Sequence, residues 1–289
     1  MDYKIIPCAE GDADYIEEKI NEISDSFVPP EEGAEDDYVL LKVTDDDGNI
    51  IGGCIALIDS RKIGDLDILW VDEKYRRQGI GSALIREAER GIREKGGYLM
   101  TLGTFDFQAR PLYEKHGYTV CGFLEDCPRG HEHYDMVKRL DIPSEEYVPS
   151  KICVYDIKAA SEEEAGAIDD GLVAYNDSQV PYEHEYKRIE RKIVDEEGNM
   201  IAGCSAGIIG WNNSLLDTIW VDEPLRGQGI GSYLLRELEK ELKDKGAYNV
   251  LLSATDWQAD FFRKNGYTEY GKVEDCPKGY NEYQLQKLL

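Results

Sequence analysis

Two stretches decide the reading of this chain: WVDEKYRRQGIGS, Trp70–Ser82, and WVDEPLRGQGIGS, Trp220–Ser232. They agree at ten of 13 positions and lie 150 residues apart. The match spreads outward from both. EDCPRG at Glu125 answers EDCPKG at Glu274, HGYT at His116 answers NGYT at Asn265, and SFVP at Ser26 answers SQVP at Ser178. Cys54 pairs with Cys204. The offset drifts between 152 and 149, as short loop insertions and deletions would make it. A repeat of this length is a duplicated domain, longer than a solenoid unit. The stretch DIPSEEYVPSK, rich in Pro, Ser and Glu, reads as the linker. The expected domains are therefore 1–145 and 146–289.

Each half predicts the same order of elements. A short strand opens it (YKIIPC; KICVYDI), and an acidic helical segment follows (Asp12 to Ile23; Glu162 to Tyr175). Two strands then meet at DDDGN or DEEGN, which is hairpin chemistry. A fourth strand ends at Trp70-Val71 or Trp220-Val221 and runs into the glycine turn. Leu84, Ala88 and Ile92, and Leu234, Leu238 and Leu242, then recur at helical spacing. Lys95-Gly96 and Lys245-Gly246 mark helix C-termini. A fifth strand, a short helix and two last strands complete each half. Strand, turn, helix, strand is a βαβ crossover, so the fold class is α/β, an α+β mixed sheet, built twice.

A strand that enters a glycine turn and then a helix leaves backbone N–H groups unpaired at the helix start. Those groups and the helix dipole attract an anion, best a phosphate. Gly79 and Gly81 spare the ligand a Cβ, and Arg76 adds a permanent charge. The spacing fits neither a Walker loop nor the dinucleotide fingerprint.

R-x-x-G-x-G after a strand ending in WVD resembles the acyl-coenzyme A loop of the GNAT acetyltransferases. QARPLYEKHGY, Gln108–Tyr118, resembles that family's short helix before its sixth strand. The resemblance covers nearly all of both halves and implies two tandem acyl-CoA N-acyltransferase (GNAT) domains using acetyl-CoA. It implies that the backbone amides of Gln78, Gly79, Ile80 and Gly81 hold the pyrophosphate, with Arg76, Arg77 and Ser82 also among the coenzyme-binding residues. Leu69, Trp70 and Val71 would bond the pantetheine arm where the fourth and fifth strands splay. The same carry-over in the second half picks Ile219, Trp220 and Val221, then Arg226, Gly227, Gln228, Gly229, Ile230, Gly231 and Ser232.

Attack of an amine on a thioester needs a neutral amine, donors for the oxyanion and a proton for the leaving thiolate. A lysine-like amine, with pKa ~10.4, is mostly charged at neutral pH, so a base helps. Tyr113, four residues before Gly117, stands in the family's tyrosine slot as proton donor, against an ordinary core role. Phe262 stands there in the second half and cannot donate. Asp67 and Asp217 are the repeat-matched base candidates, and Asp65 adds a second carboxylate on one strand face where the other half has Leu215. A solvated strand edge is the bland alternative. The asymmetry favours catalysis in the first half; catalysis in the second stays open because both glycine turns are intact.

EDCPRGHEHY, with its counterpart EDCPKGYNEY, shapes either an acceptor pocket or an interface. His131 and His133 give way to Tyr280 and Glu282, so a role shared by both halves is not expected of them. Cys127 and Cys276 are expected to pack. Asp106 and Asp256 are expected to cap helices, with substrate contact as the alternative, and Gln108 and Gln258 repeat beside them. Glu31, Glu32, Glu35, Asp36 and Asp37 cluster where the resemblance puts the acceptor side, as a solvated loop or a collector of cations.

The net charge of −26 divides into 17 basic against 33 acidic residues before position 151, and 16 against 26 after it. Nucleic acid and anionic membrane would be repelled, and a small cationic amine or basic peptide attracted. Solubility alone also explains such a charge. Seven scattered cysteines without CxxC spacing read as reduced thiols, and no His/Cys cluster suggests a metal. The charged N-terminus lacks a signal-peptide pattern, and the longest apolar run is too short for a bilayer, so a cytoplasmic protein is expected. The function expected is acetyl transfer to a primary amine; the alternative is a non-catalytic or half-catalytic acyl-CoA sensor. The two halves are expected to pack as an intramolecular pseudo-dimer, the chain being a monomer or homodimer.

Overall fold

A computed structural model describes residues 4–30, 35–143 and 147–289. The chain begins with β1 (Ile5–Pro7) and α1 (Asp12–Phe27). The strands β2 (Asp37–Thr44), β3 (Ile50–Ile58) and β4 (Ile63–Val71) lead to α2 (Ile80–Glu94), β5 (Leu99–Phe105), α3 (Arg110–Lys115), β6 (Thr119–Glu125) and β7 (Glu132–Arg139). The second pass gives β8 (Ile157–Ala159), α4 (Glu162–Gln179), β9 (Lys187–Val194), β10 (Met200–Ile208), β11 (Asn213–Val221) and α5 (Ile230–Asp244). It ends with β12 (Asn249–Thr255), α6 (Ala259–Lys264), β13 (Thr268–Glu274) and β14 (Asn281–Leu288).

The expected order is thus present twice, as a mixed sheet with helices on its faces. One expectation fails locally. KICVYDI is not the opening strand of the second pass: pairing begins only at Ile157, and 151–155 run outside any element.

The compact units are not the two halves of the sequence. One is discontinuous, the chain up to Pro29 together with Tyr182–Leu289; the other is the continuous stretch Pro30–Pro181. The opening strand and helix of each repeat have been exchanged. In the discontinuous unit β1 pairs antiparallel with β9, Ile6 opposite Lys192, and α1 lies on β10 and β11. In the continuous unit β8 pairs antiparallel with β2, Lys42 opposite Lys158, and α4 lies on β2, β3 and β4.

The repeat makes this exchange easy. Ile16 of α1 fills the hollow over Gly203, where an added Cβ would lie 2.2 Å from its Cδ1. Ile168 of α4 fills the hollow over Gly53 in the same way, also at 2.2 Å. The ion pairs match as well, Lys192 with Asp12 and Lys42 with Glu164. The tryptophan contacts differ. The Trp70 indole lies against Gly171, where a Cβ would come within 2.6 Å of the ring, whereas Trp220 meets the Tyr15 ring edge-on at 5.7 Å. Size complementarity at these indoles therefore distinguishes the two helices.

The other sheet face carries the core of each unit. Leu84, Ala88 and Ile92 of α2 are buried on Cys54, Ala56, Met100 and Met136. Leu234, Leu238 and Leu242 of α5 are buried on Cys204, Ala206, Val250 and Leu285. The helical spacing read from the sequence is this buried stripe. Burial pushes the Cys54 and Cys204 thiols up to about 12, which makes them inert packing groups. Among the described residues no helix is long and apolar enough to cross a membrane.

Candidate functional site

In both units the site is built where two parallel strands come apart. β4 and β5 pair only over Ile63–Asp65 and Leu99–Thr101; β11 and β12 pair only over Asn213–Leu215 and Asn249–Leu251. A bulge sits just past each short ladder, where Ile55 opposes Ile68 but Ala56 opposes Leu66, and Ser205 opposes Thr218 but Ala206 opposes Leu216. The extra residues are Asp67 and Asp217. A bulge re-aims its side chain and ends regular pairing, so both aspartates stand at the mouth of the opening. Beyond them Leu69–Val71 and Ile219–Val221 keep their pairing to β3 and β10 while their other edge is released from the parallel ladder.

The turns that follow are near copies. Asp72 and Asp222 cap a short 3₁₀ turn, accepting from the backbone N–H of Lys74 at 2.9 Å and of Glu223 at 3.0 Å. Arg76 and Arg226 each donate Nε–H to the carbonyl of Val71 or Val221 at 2.9 Å, so each guanidinium also braces the turn. Gln78 and Gln228 donate back to Lys74 and Pro224 at 3.3 Å. Arg77 and Gly227 hold the left-handed conformation at φ 62° and 76°, and Gly79 and Gly229 follow at 86° and 85°. Glycine has no steric penalty there. Ile80 and Ile230 anchor the helix start in the core. Gly81 and Gly231 have a different reason from the one expected. A Cβ would press on Leu112 at 3.2 Å or Phe261 at 3.3 Å, so they let α2 and α5 approach neighbouring side chains. Ser82 is buried one residue further along.

In the discontinuous unit a cavity of about 490 Å³ opens between the splayed strands and the turn. Leu216 to Val221, Arg226, Gly227 and Gly229 to Ser232 line it, with Ser253, Trp257, Gln258, Phe261 and Phe262. Ile20 and Ile23 of α1 close one side, a contribution the sequence concealed because α1 lies almost 200 positions upstream of β11. Trp257 was also missed. Its ring stacks on Phe27 at 4.6 Å, and its buried Nε1–H has no partner among the described residues. The Ser205 hydroxyl donates to Asp217 at 3.2 Å, and desolvation raises the Asp217 carboxyl above its ordinary range.

The continuous unit arranges its candidates differently. Tyr113 is buried in the core, its ring edge-on to Tyr118 at 6.0 Å; burial raises its hydroxyl, with Cys54 adding to the effect. Asp67 is raised by desolvation, then by Asp169 of α4. Asp65 accepts from the Thr101 hydroxyl at 2.6 Å, and desolvation, with Asp67 and Asp135 nearby, pushes its carboxyl up to about 6. The acidic set expected at this strand is therefore assembled. His133 lies 3.7 Å from Asp135 and is held below its ordinary pKa by burial.

The aspartates expected to cap helices do something else. Asp106 bonds His131 Nδ1 at 3.0 Å, and Asp256 accepts from the Asn281 N–H at 2.7 Å and the Tyr283 hydroxyl at 2.9 Å. Both anchor the loop before the last strand. Gln108 and Gln258 hold the strand ends, accepting from Phe105 N–H at 3.0 Å and Thr255 N–H at 3.1 Å. Glu31 and Glu32 lie outside the described residues; Asp37 pairs with Lys95 at the surface.

The two turns differ as cradles for a phosphate. Nothing among the described residues lies within 4 Å of where a Cβ would stand on Gly227 or Gly229. This turn and its cavity fit a long, phosphate-bearing coenzyme. At Gly79 the same space is filled, with Lys151 O at 2.4 Å and Cys153 N at 2.8 Å from the Cβ position. The second cradle does not fit the group as it stands.

The acetyltransferase (GNAT) domain family matches residues 36–120 and again 189–269. The chain belongs to that family, whose members are acetyltransferases using acetyl-CoA. Blasticidin-S acetyltransferase of Streptomyces morookaense is 35% identical over 94 residues, which are 32% of this chain and 68% of that protein. A crystal structure of an acetyltransferase from Bacillus cereus ATCC 14579 is 33% identical with TM-score 0.44, covering 46% of this chain and 97% of that one. An aminoglycoside 6'-N-acetyltransferase solved with coenzyme A is 16% identical with TM-score 0.33, covering 44% of this chain and 81% of that one. The chain is an N-acetyltransferase.

Proposed function

We propose that this N-acetyltransferase moves an acetyl group from acetyl-CoA to a primary amine of a small, cationic acceptor, in the discontinuous unit. The observation that carries the reading is the cavity that runs from the open glycine turn to the bulged Asp217. Arg226 to Ser232 would hold the pyrophosphate on backbone N–H groups at the start of α5. Ile219, Trp220 and Val221 would bond the pantetheine arm through their free backbone edge. The coenzyme supplies an activated acetyl group on sulfur. The acceptor nitrogen forms the new bond to the acetyl carbon, the carbon–sulfur bond breaks, and the sulfur leaves with its electron pair.

Asp217 takes the proton the amine must lose. Its raised pKa brings it nearer the proton it accepts, and the Ser205 hydroxyl orients it. Phe262, in the tyrosine slot, keeps the cavity apolar and supplies no proton to the leaving sulfur. A cationic acceptor suits the chain's net charge of −26, and a small amine suits the relative named for blasticidin S.

A second reading places turnover in the continuous unit, with Tyr113 as proton donor and Asp67 as base. The tyrosine in its motif slot and the acidic set around Asp65 favour it. One experiment separates the two. Thiol release is followed against a panel of amines in Asp217→Asn, Asp67→Asn and Tyr113→Phe. The proposal expects kcat to fall about 100-fold in Asp217→Asn, within the ordinary range for a lost general base, with acetyl-CoA affinity kept. Loss confined to Asp67→Asn or Tyr113→Phe supports the second reading. No thiol release from the wild type with any amine defeats both and leaves acyl-CoA sensing.

A further inference from the structure

The segment that crosses Gly79 is part of the chain's own linker. From Lys151 to Ile157 the side chains alternate. Cys153, Tyr155 and Ile157 pack against the core of the continuous unit, while Ile152 and Val154 are 78% and 83% exposed. That period of two is an extended strap with one side nailed down. Tyr155 meets the Tyr75 ring edge-on at 6.1 Å, and Cys153 Sγ lies 3.4 Å from the Tyr155 carbonyl. The strap then enters β8, whose ladder with β2 fixes its far end. Its backbone at 151–153 is what fills the space over Gly79.

A second obstruction comes from α4. The Arg76 guanidinium lies 4.2 Å over the Tyr175 ring, and the Tyr175 hydroxyl donates to the Phe107 carbonyl at 2.7 Å. By the SFVP/SQVP match, the repeat partner of Tyr175 is Ile23, which lines the cavity of the discontinuous unit. A large, tethered aromatic ring thus stands where the other unit has a short aliphatic wall.

We infer that the linker strap 151–155 closes the glycine turn of the continuous unit, so that the chain binds one acetyl-CoA, at Gly227–Ser232. The strap puts a peptide backbone over N–H groups that would otherwise take a phosphate, and its anchors Cys153 and Tyr155 keep it there. Coenzyme reaches the Arg76–Ser82 turn only when those anchors let go. The inference rests on the coenzyme reading above, and the test separates the two.

Acetyl-CoA is titrated calorimetrically into the full chain. One site per chain is expected. Gly229→Asp is expected to weaken it at least 100-fold, since aspartate tolerates the left-handed conformation but sets a negative charge where a phosphate would sit. Cys153→Gly/Tyr155→Gly, which removes the anchors and leaves both turns intact, is expected to raise the count to two. Amide hydrogen exchange of the wild type needs no variant: saturating acetyl-CoA is expected to slow exchange at 227–232 and leave 76–82 unchanged. Two wild-type sites, or equal slowing at both turns, overturns the strap while keeping the coenzyme reading. No binding to wild type or strap variant overturns both.

Discussion

Replacing Asp65 by asparagine should make the continuous unit more stable, and only above acid pH. Asp65 is partly buried beside Asp67 and Asp135, and its carboxyl is pushed from 3.8 up to about 6, chiefly by desolvation. An acid whose pKa is higher folded than unfolded favours folding while it is protonated. That contribution is lost as pH rises from the unfolded pKa through the folded one, here from about 4 to about 6, and stays lost above. At 1.36 kcal/mol per unit, the ionised carboxylate costs about 3 kcal/mol at neutral pH. Asparagine is neutral throughout and still accepts the Thr101 hydroxyl through Oδ1. Calorimetric melts of wild type and Asp65→Asn should therefore converge near pH 4 and separate by roughly 6–12 °C at pH 7.5, using about 2–4 °C per kcal/mol for a unit of this size. A separation that is the same at both pH values refutes the reasoning, as does a variant less stable at pH 7.5.

Three further outcomes follow from the packing. Lys138 donates to the buried Glu89 at 2.6 Å and Arg93 reaches its other oxygen at 3.2 Å, so Lys138→Met should cost about 1–3 kcal/mol by leaving the carboxylate to Arg93 alone, and Glu89→Gln/Lys138→Met should recover part of it in urea melts. Gly53→Val should cost about 1–3 kcal/mol or more by colliding with Ile168 and the Leu41 carbonyl, seen as a lowered urea midpoint. Pro30–Pro181 expressed alone should unfold cooperatively by circular dichroism, since it contains its own core, α4 and β8.

The order of elements, the amphipathic stripes of α2 and α5 and the glycine turns were legible because they are local: period, turn residues and repetition fix them. The bulges at Asp67 and Asp217 left no such mark, since one extra residue in a strand changes neither composition nor length noticeably. The exchange of α1 and α4 was illegible for a related reason. Ile16 and Ile168 are equivalent in the repeat, as are Gly53 and Gly203, so these matched residues alone are equally consistent with either pairing, and only the unlike contacts at Trp70 and Trp220 separate them. KICVYDI carried the alternation of a strand, and that alternation is present; it packs Cys153 and Tyr155 on the core without a partner ladder. The side-chain alternation reports a buried face, whereas the hydrogen-bonding partner depends on residues far away.

The exchanged opening segments also set a timetable for the ribosome. The continuous unit is complete once Pro181 has emerged, but α1, made early, rests on β10 and β11, which are made after that unit. At about 5–20 residues per second, its apolar residues Ile16, Ile20 and Ile23 wait on the order of ten to thirty seconds or more for β10 and β11. The hollow over Gly53 is made early as well and is filled by Ile168 only once α4 has emerged, while Ile16, the equivalent of Ile168 in the repeat, waits for the hollow over Gly203. In the folded chain α4 takes the place over Gly53, with Gly171 against the Trp70 indole. Gly171, where α1 carries Lys19, is the residue that sets the two opening helices apart at that indole.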